Sequence, residues 1–477
     1  MERITLREIV EYCSAHPCEV DLKTVIEGIS IDSRSLKQGE LFIPIIGEKF
    51  NGHNFIDKAR EAGAVAVLSA QRGSDPGTLY VDDTLQALLD IARGYRKRFS
   101  TRITAITGSS GKTTTKEMCA AVLSEFMPTL KTEGNLNNLV GLPLSVLRLG
   151  SGHRAAVFEM GMNRFGEISR MTRAALPDIS VITNIGTAHI EHLGSQKGIL
   201  KAKTEIFEGL PPDGVVILNG DDPLLWELKG KLPHKTVFFG ISNKDCEITA
   251  GNILQTRDGM CFSVSSPYGD LEVDLPAIGK HNVLNALAAI AVGLEYADND
   301  RTEVQEVFNL IKEGLSCYRC ADMRQNIISK SGVTIIDDCY NANPDSMSAA
   351  LGVLSSYPSS GKKIAVLGDM LELGDYSEQA HRALGEEAAK CSDNILLIGT
   401  ASENTLLGAI QIGKLTSQIA HFEDIEELSR ELISITSKGD VILIKGSRGM
   451  RLEQVRDALI ESLDSGLENK EQGEIGQ

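Results

Sequence analysis

The residues best equipped for chemistry lie at 103–114, where the apolar run Ile103-Thr104-Ala105-Ile106 empties into Thr107-Gly108-Ser109-Ser110-Gly111-Lys112-Thr113-Thr114 before an amphipathic stretch. A strand, a glycine turn and a helix start in that order form a phosphate cradle. Backbone N–H groups and the positive helix end face the anion, a lysine neutralises the outer phosphates, and a hydroxyl suits Mg2+. Gly108, Ser109, Ser110, Gly111, Lys112, Thr113 and Thr114 are therefore expected at a nucleotide, with Thr113 at the metal. The element reads Gly-x-x-Gly-Lys-Thr, because Ile106 stands where the longer phosphate-loop pattern has its first glycine. The bland alternative is a tight strand-to-helix turn without a ligand.

Ligands of parallel sheets gather outside the carboxyl ends of strands, so polar residues that directly follow apolar runs are the next candidates. Glu159 follows Ala155–Phe158 and could hold Mg2+ directly or through water, or serve only as a capping or solvated acid. The run 183–192 brings His189, Glu191 and His192 to the same rim, which leaves a second metal open against ordinary surface pairing. Lys201 and Lys203 follow in a helical pattern, as a charge clamp or as solvated side chains. Asn282 and Asn285 share one helix face and could bond an adenine or ribose, or cap the helix. Farther on, Asn343 is a credible N-cap with Pro344 at the first helical position, which leaves Asp337, Asp338, Tyr340 and Asn341 on a rim without a capping role. The runs 368–374 and 445–448 end further strands that face the same way.

These residues need scaffolds. The chain has 477 residues, and at about 150 residues per domain three domains are expected. Residues 1–99 alternate short apolar runs with helical patterns at 54–62 and 84–98, a small α/β unit. Residues 100–315 place strands at 103–106, 155–158, 179–183 and 215–218 between helices, the rhythm of a parallel sheet. Residues 316–465 restart that rhythm at 333–336, 363–367, 394–398 and 441–444, a second doubly wound sheet. Residues 466–477 are polar and unpatterned and are expected to form a disordered tail.

Composition narrows the function classes. A net charge of −17 argues against a non-specific nucleic-acid binder, so any anion must be held locally. No apolar run reaches the length of about 18 residues that spans a bilayer, and the acidic start MERITLREIVEYC lacks the pattern of a secretory signal. Nine scattered cysteines fit a reducing compartment, so a cytoplasmic protein is expected. The pair Cys317 and Cys320 lacks a partner pair for zinc or a redox context and is given no chemistry.

TGSSGKTTT, GNLNNLVGLP, EMGMNRFGEI, TNIGTAHIEHLGS, KAKTEIF, GKHNVLNALAA, IDDCYNANPDSM, GDMLELG and KGSR occur in this order, and over nearly its whole length the chain resembles a Mur ligase. The resemblance implies an N-terminal uridine-nucleotide domain, a central ATPase sheet and a closing Rossmann-like domain. The phosphate loop of that family is shortened as it is here. The third-domain motifs resemble those of the dipeptide-adding member. The implied partners are therefore UDP-MurNAc-tripeptide and D-Ala-D-Ala, joined with ATP and Mg2+ in peptidoglycan precursor synthesis, by a monomer. The Asp-Asn-Pro-Arg mark of the diamino-acid ligase is absent, and folylpolyglutamate synthases lack these third-domain motifs.

By resemblance, Lys112 and Thr113 serve ATP and Mg2+, Glu159 and His189 are metal ligands, and Lys203 is carbamoylated to supply a carboxylate. Asn285 matches the adenine contact, with Asn282 beside it, and Arg324 and Asp338 match groups brought to the nucleotide by the closing domain. Met323 stands where the family usually has glycine before that arginine. Ser33, Arg34 and His53 are implied to face the uridine substrate, and Thr132, Asn137 and Asn138 the muramoyl moiety. Asn163, Tyr340, Asn341 and Asn343 complete the expected substrate residues. The readings left beside this one are a Mur-type ligase for another amine and a non-catalytic nucleotide-dependent switch.

Overall fold

The computed structural model describes residues 1–47, 50–297 and 303–474, with side chains described to Ser465, and builds three α/β units in chain order. In the first, the strands Gly28–Ser30, Glu40–Phe42, Ala66–Ser69 and Thr78–Tyr80 run parallel, and His16–Cys18 adds an antiparallel edge. The expected helices are Ile56–Glu61, entered through the turn Gly52–Phe55, and Thr84–Arg96. Asp83 starts the latter by accepting from the N–H groups of Leu85 and Gln86, and Leu88, Ile91 and Tyr95 then fall on its buried face. That face belongs to one apolar cluster that continues into the second unit through Leu149, Ala156 and Phe158. Tyr95 Oη donates to the Leu149 carbonyl at 2.7 Å across the seam.

Among the described residues the central sheet runs Thr129–Lys131, Ala155–Glu159, Arg102–Thr107, Ile179–Ile182, Val215–Asn219 and Lys235–Gly240, all parallel. Its strands are apolar on both faces, because Ile103, Ala156 and Ile182 join the first cluster while Ile106, Val157 and Val181 pack beneath the helices Lys112–Phe126 and Lys280–Tyr296. The parallel sheet is as expected, and it carries an extension that the apolar runs did not mark. Ile248–Gln255 continues the sheet, and Met260–Ser266 and Gly269–Leu275 close it as an antiparallel meander. These strands alternate buried and exposed residues, so no continuous apolar run marked them.

The third unit orders its strands as Asn326–Lys330, Val333–Asp337, Val441–Lys445, Lys363–Gly368, Asn394–Ile398 and Ile419–Phe422, with only the first pairing antiparallel. Ile335 and Ile336 point to opposite apolar clusters, so this sheet too is covered on both faces. Asn343 caps Pro344–Ser356 by accepting from Ser346 N, with Pro344 in the first turn. The last helix runs from Glu453 to Glu474, where a disordered tail was expected, and its Glu, Lys and Gln residues are good helix formers; residues 475–477 lie outside the described residues. No helix among the described residues is long and apolar enough to cross a membrane.

Candidate active site

The phosphate turn, the rim of the central sheet and the facing edge of the third unit enclose a cleft of about 810 Å3. Gly108 has no room for a side chain, because a Cβ there would overlap Thr183 Oγ1, and Gly111 sits at φ +76° under Asn285 Oδ1. The loop is braced by a residue that spacing did not flag: Asn184 Oδ1 accepts from the N–H groups of Ser109 and Ser110 at 3.0 and 2.9 Å. Those two donors are thus engaged within the protein. The helix Lys112–Phe126 starts without a side-chain cap, so its first-turn N–H groups are the donors left for an anion. Lys112 Nζ folds back to the Gly108 carbonyl at 2.8 Å. Burial lowers its pKa, Glu159 opposes that shift, and Arg324 adds to it.

Glu159 ends its strand next to that loop and is 1 % exposed. Its N–H donates to Thr132 Oγ1 at 3.1 Å, and its Oε1 accepts from Asn137 Nδ2 at 2.7 Å. Its Oε2 is buried and has no partner, an arrangement that a cation would complete. Lys203 is likewise buried, and desolvation, followed by the charge of Lys112, pushes its amine well below the ordinary lysine value. His189 holds a left-handed backbone at φ +62°, and its buried Nδ1 lies 2.7 Å from Glu372 Oε2 of the third unit without the alignment of a hydrogen bond. That contact is the main cause holding the Glu372 carboxyl below its usual range. His192 and Glu191 do not build a second centre with it: among the described residues no three or more His, Cys, Asp or Glu side chains are grouped to hold a metal.

The third unit supplies the opposite wall. Lys445 Nζ donates to Asp338 Oδ2 at 2.7 Å and to the Asn341 carbonyl at 3.0 Å, which fixes that rim. Arg324 stacks on Tyr340 with 4.2 Å to the ring centroid. Met323 and Gln325, on either side of Arg324, take left-handed conformations at φ +58° and +53°. Asn343 Nδ2 donates to the Ser109 carbonyl at 3.3 Å, and Tyr340, Asn341 and Asn343 all line the cleft. Asn282 and Asn285 do not cap their helix. Thr115 Oγ1 donates to Asn285 Oδ1, Asn285 Nδ2 to Asn282 Oδ1, and Asn282 Nδ2 to Gln325 Oε1, a chain from the phosphate helix to the third unit.

Other expected residues are placed elsewhere. Ser33, Arg34, His53 and Thr132 are not among the residues lining this cleft. Arg34 grips Asp32 at 2.7 Å on the surface. His53 is buried and accepts from Ala70 N at Nε2, so its proton sits on Nδ1, which faces Asn51 Oδ1 at 2.9 Å. Thr132 is used by the Glu159 backbone. Asn137, Asn138 and Asn163 do reach the cleft.

Three family domains match the chain: Mur ligase middle domain over residues 106–293, Mur ligase, glutamate ligase domain over 323–448, and Mur ligase family, catalytic domain over 25–95. The UDP-N-acetylmuramoyl-tripeptide–D-alanyl-D-alanine ligase of Bacillus subtilis (strain 168) is 40% identical over 448 residues, 92% of this chain and 94% of that protein. The chain belongs to the Mur ligase family. This Mur ligase is similar in structure to MurF from Acinetobacter baumannii, with a TM-score of 0.87, 33% identity and coverage of 97% of this chain and 99% of that one. It is also similar to MurF ligase from Thermotoga maritima, solved in complex with ADP, with a TM-score of 0.81, 29% identity and coverage of 92% and 98%.

In this Mur ligase the residues that spacing missed are partners in tertiary contacts. Asn184, Gln325, Glu372 and Lys445 each meet a residue far away in sequence. A weak signal existed for Lys445, whose KGSR run ends a strand on the same rim as Asp338.

Proposed function

We propose that this Mur ligase joins D-Ala-D-Ala to the free carboxyl of UDP-MurNAc-tripeptide, splitting ATP to ADP and phosphate. The observation that carries the chemistry is the buried Glu159 carboxylate, with one oxygen unpartnered, on the strand beside the phosphate turn. The choice of substrates is supported by the names of the relatives that the chain matches nearly end to end.

The open helix N-terminus and Lys112 bind the ATP phosphates and neutralise charge as the tripeptide carboxylate attacks the γ-phosphorus. The products of that step are an acyl phosphate and ADP. The dipeptide amine then displaces phosphate from the acyl carbon, forming the amide and releasing a proton. Asn343, Arg324 and Asp338 line the third-unit wall that would face the acyl phosphate.

The donor set fits Mg2+, an oxygen-seeking ion that keeps several waters: Glu159, Thr113 and His189 would hold it, and it would offset phosphate charge. Lys203 would join them as a carbamate. The burial that favours its neutral amine supports this, because only the neutral amine adds CO2. The setting we propose is the cytoplasm.

The test is phosphate release from ATP with UDP-MurNAc-tripeptide and either D-Ala-D-Ala or single amino acids, with product mass. Release and a pentapeptide mass only with the dipeptide is the expected result. Release with another amine replaces the substrate, and no release with any amine favours a nucleotide-dependent switch.

A further inference from the structure

His189 and Glu372 meet across the boundary between the central and third units, and both are non-glycine residues in the left-handed region, at φ +62° and +61°. Such backbones are disfavoured unless something holds them. The pair is partly open to solvent, at 23% and 50% side-chain exposure, and an ion pair so exposed adds little to stability. Its geometry therefore needs another explanation. The loop that carries Glu372 is seated closely on the helix after His189, since a Cβ on Gly374 would lie 3.0 Å from Glu191 Cγ. Nδ1 is buried and, although 2.7 Å from the carboxylate, is not aligned on it as a hydrogen bond; a small turn of the ring would align them, select the tautomer with its proton on Nδ1 and leave the Nε2 lone pair free. Histidines that bind metals are commonly oriented in this way.

We propose that Glu372 is a positioning residue: when the third unit docks, its carboxylate holds His189 as the Nδ1–H tautomer with Nε2 turned to the cation. Domain docking and completion of the cation site thereby become one event. The proposal rests on the reading of His189 as a cation ligand.

The experiment compares the full-length wild type with Glu372→Ala, Glu372→Gln, His189→Ala and, as a control in the same turn, Asp375→Asn. Mn2+ binding is titrated in the presence of ADP, ADP binding is measured without metal, and the His189 tautomer is read from 15N imidazole shifts, assigned as the signal missing in His189→Ala. Glu372→Ala is expected to weaken Mn2+ binding by about 10- to 100-fold, to leave metal-free ADP binding unchanged and to move His189 away from the Nδ1–H form. Glu372→Gln keeps an acceptor oxygen and should show a smaller loss of the same sign even if the alanine variant folds poorly. Asp375→Asn should behave as wild type. Unchanged Mn2+ affinity and tautomer in both Glu372 variants, with Mn2+ binding lost in His189→Ala, would overturn the proposal alone. Unchanged Mn2+ affinity in His189→Ala would remove the underlying reading and the proposal with it.

Discussion

Asn343 does two jobs with one side chain: its Oδ1 caps the helix Pro344–Ser356 through Ser346 N, and its Nδ2 reaches the Ser109 carbonyl in the phosphate loop at 3.3 Å. The two roles separate by mutation. Asn343→Ala loses both and should destabilise the third unit by about 1 kcal/mol, a fall of about 2–4 °C in melting temperature, while raising the KM for ATP. Asn343→Asp keeps the cap and loses the donor, so its melting temperature should stay near wild type while the KM still rises. Thermal melts beside ATP kinetics decide it.

Lys112→Ala should abolish phosphate release and leave the fold intact, because among the described residues the side chain's only protein bonds are to carbonyls of its own loop. A loss of at least about 100-fold in kcat is expected from removing the charge at the phosphates. Normal turnover in a mass-verified variant would end the phosphate-cradle reading.

Glu159→Gln should separate stability from activity. The substitution removes a buried carboxylate whose Oε2 has no partner, so the ligand-free protein should melt at the same temperature or higher. Mg2+-dependent turnover should nevertheless drop by about 100-fold or more, since several kcal/mol of charge stabilisation go with the cation. Calorimetry and steady-state rates on one preparation test both halves.

Burial holds the Lys203 amine well below the ordinary lysine value, so between the two pKa values the unfolded chain binds more protons than the folded one. Its contribution is therefore most favourable above the unfolded pKa and is lost as pH falls. In buffer freed of CO2, Lys203→Met should raise the melting temperature at pH 7, with the gain shrinking toward pH 10. Turnover of Lys203→Ala should be partly rescued by short-chain carboxylic acids, and indifference to them would count against a carbamate.

Much of this was legible in the sequence because it was local. Strands such as Ala155–Glu159 and Val333–Asp337 announce themselves as apolar runs before polar turns, and the pair Asn343-Pro344 spells a helix start within two residues. Contacts between distant segments were not legible. Lys445 is 107 residues from Asp338, and Asn184 is 75 from Ser109, so no spacing rule connects them. The bonds of both His53 ring nitrogens were not legible either, one of them being to Ala70, 17 residues away. The meander at 248–275 escaped for another reason: a half-exposed strand shows alternation, which polar positions blur.

The apolar cluster shared by the first two units has a thermal consequence. Tyr95, Leu149 and Phe158 belong to one buried network, whereas the third unit keeps two clusters of its own, one of which takes in Ile278 of the central unit. The first 300 or so residues should therefore melt as one cooperative block and the third unit as another. A calorimetric scan should resolve two transitions, and a nucleotide gripped from both sides would draw them together into one.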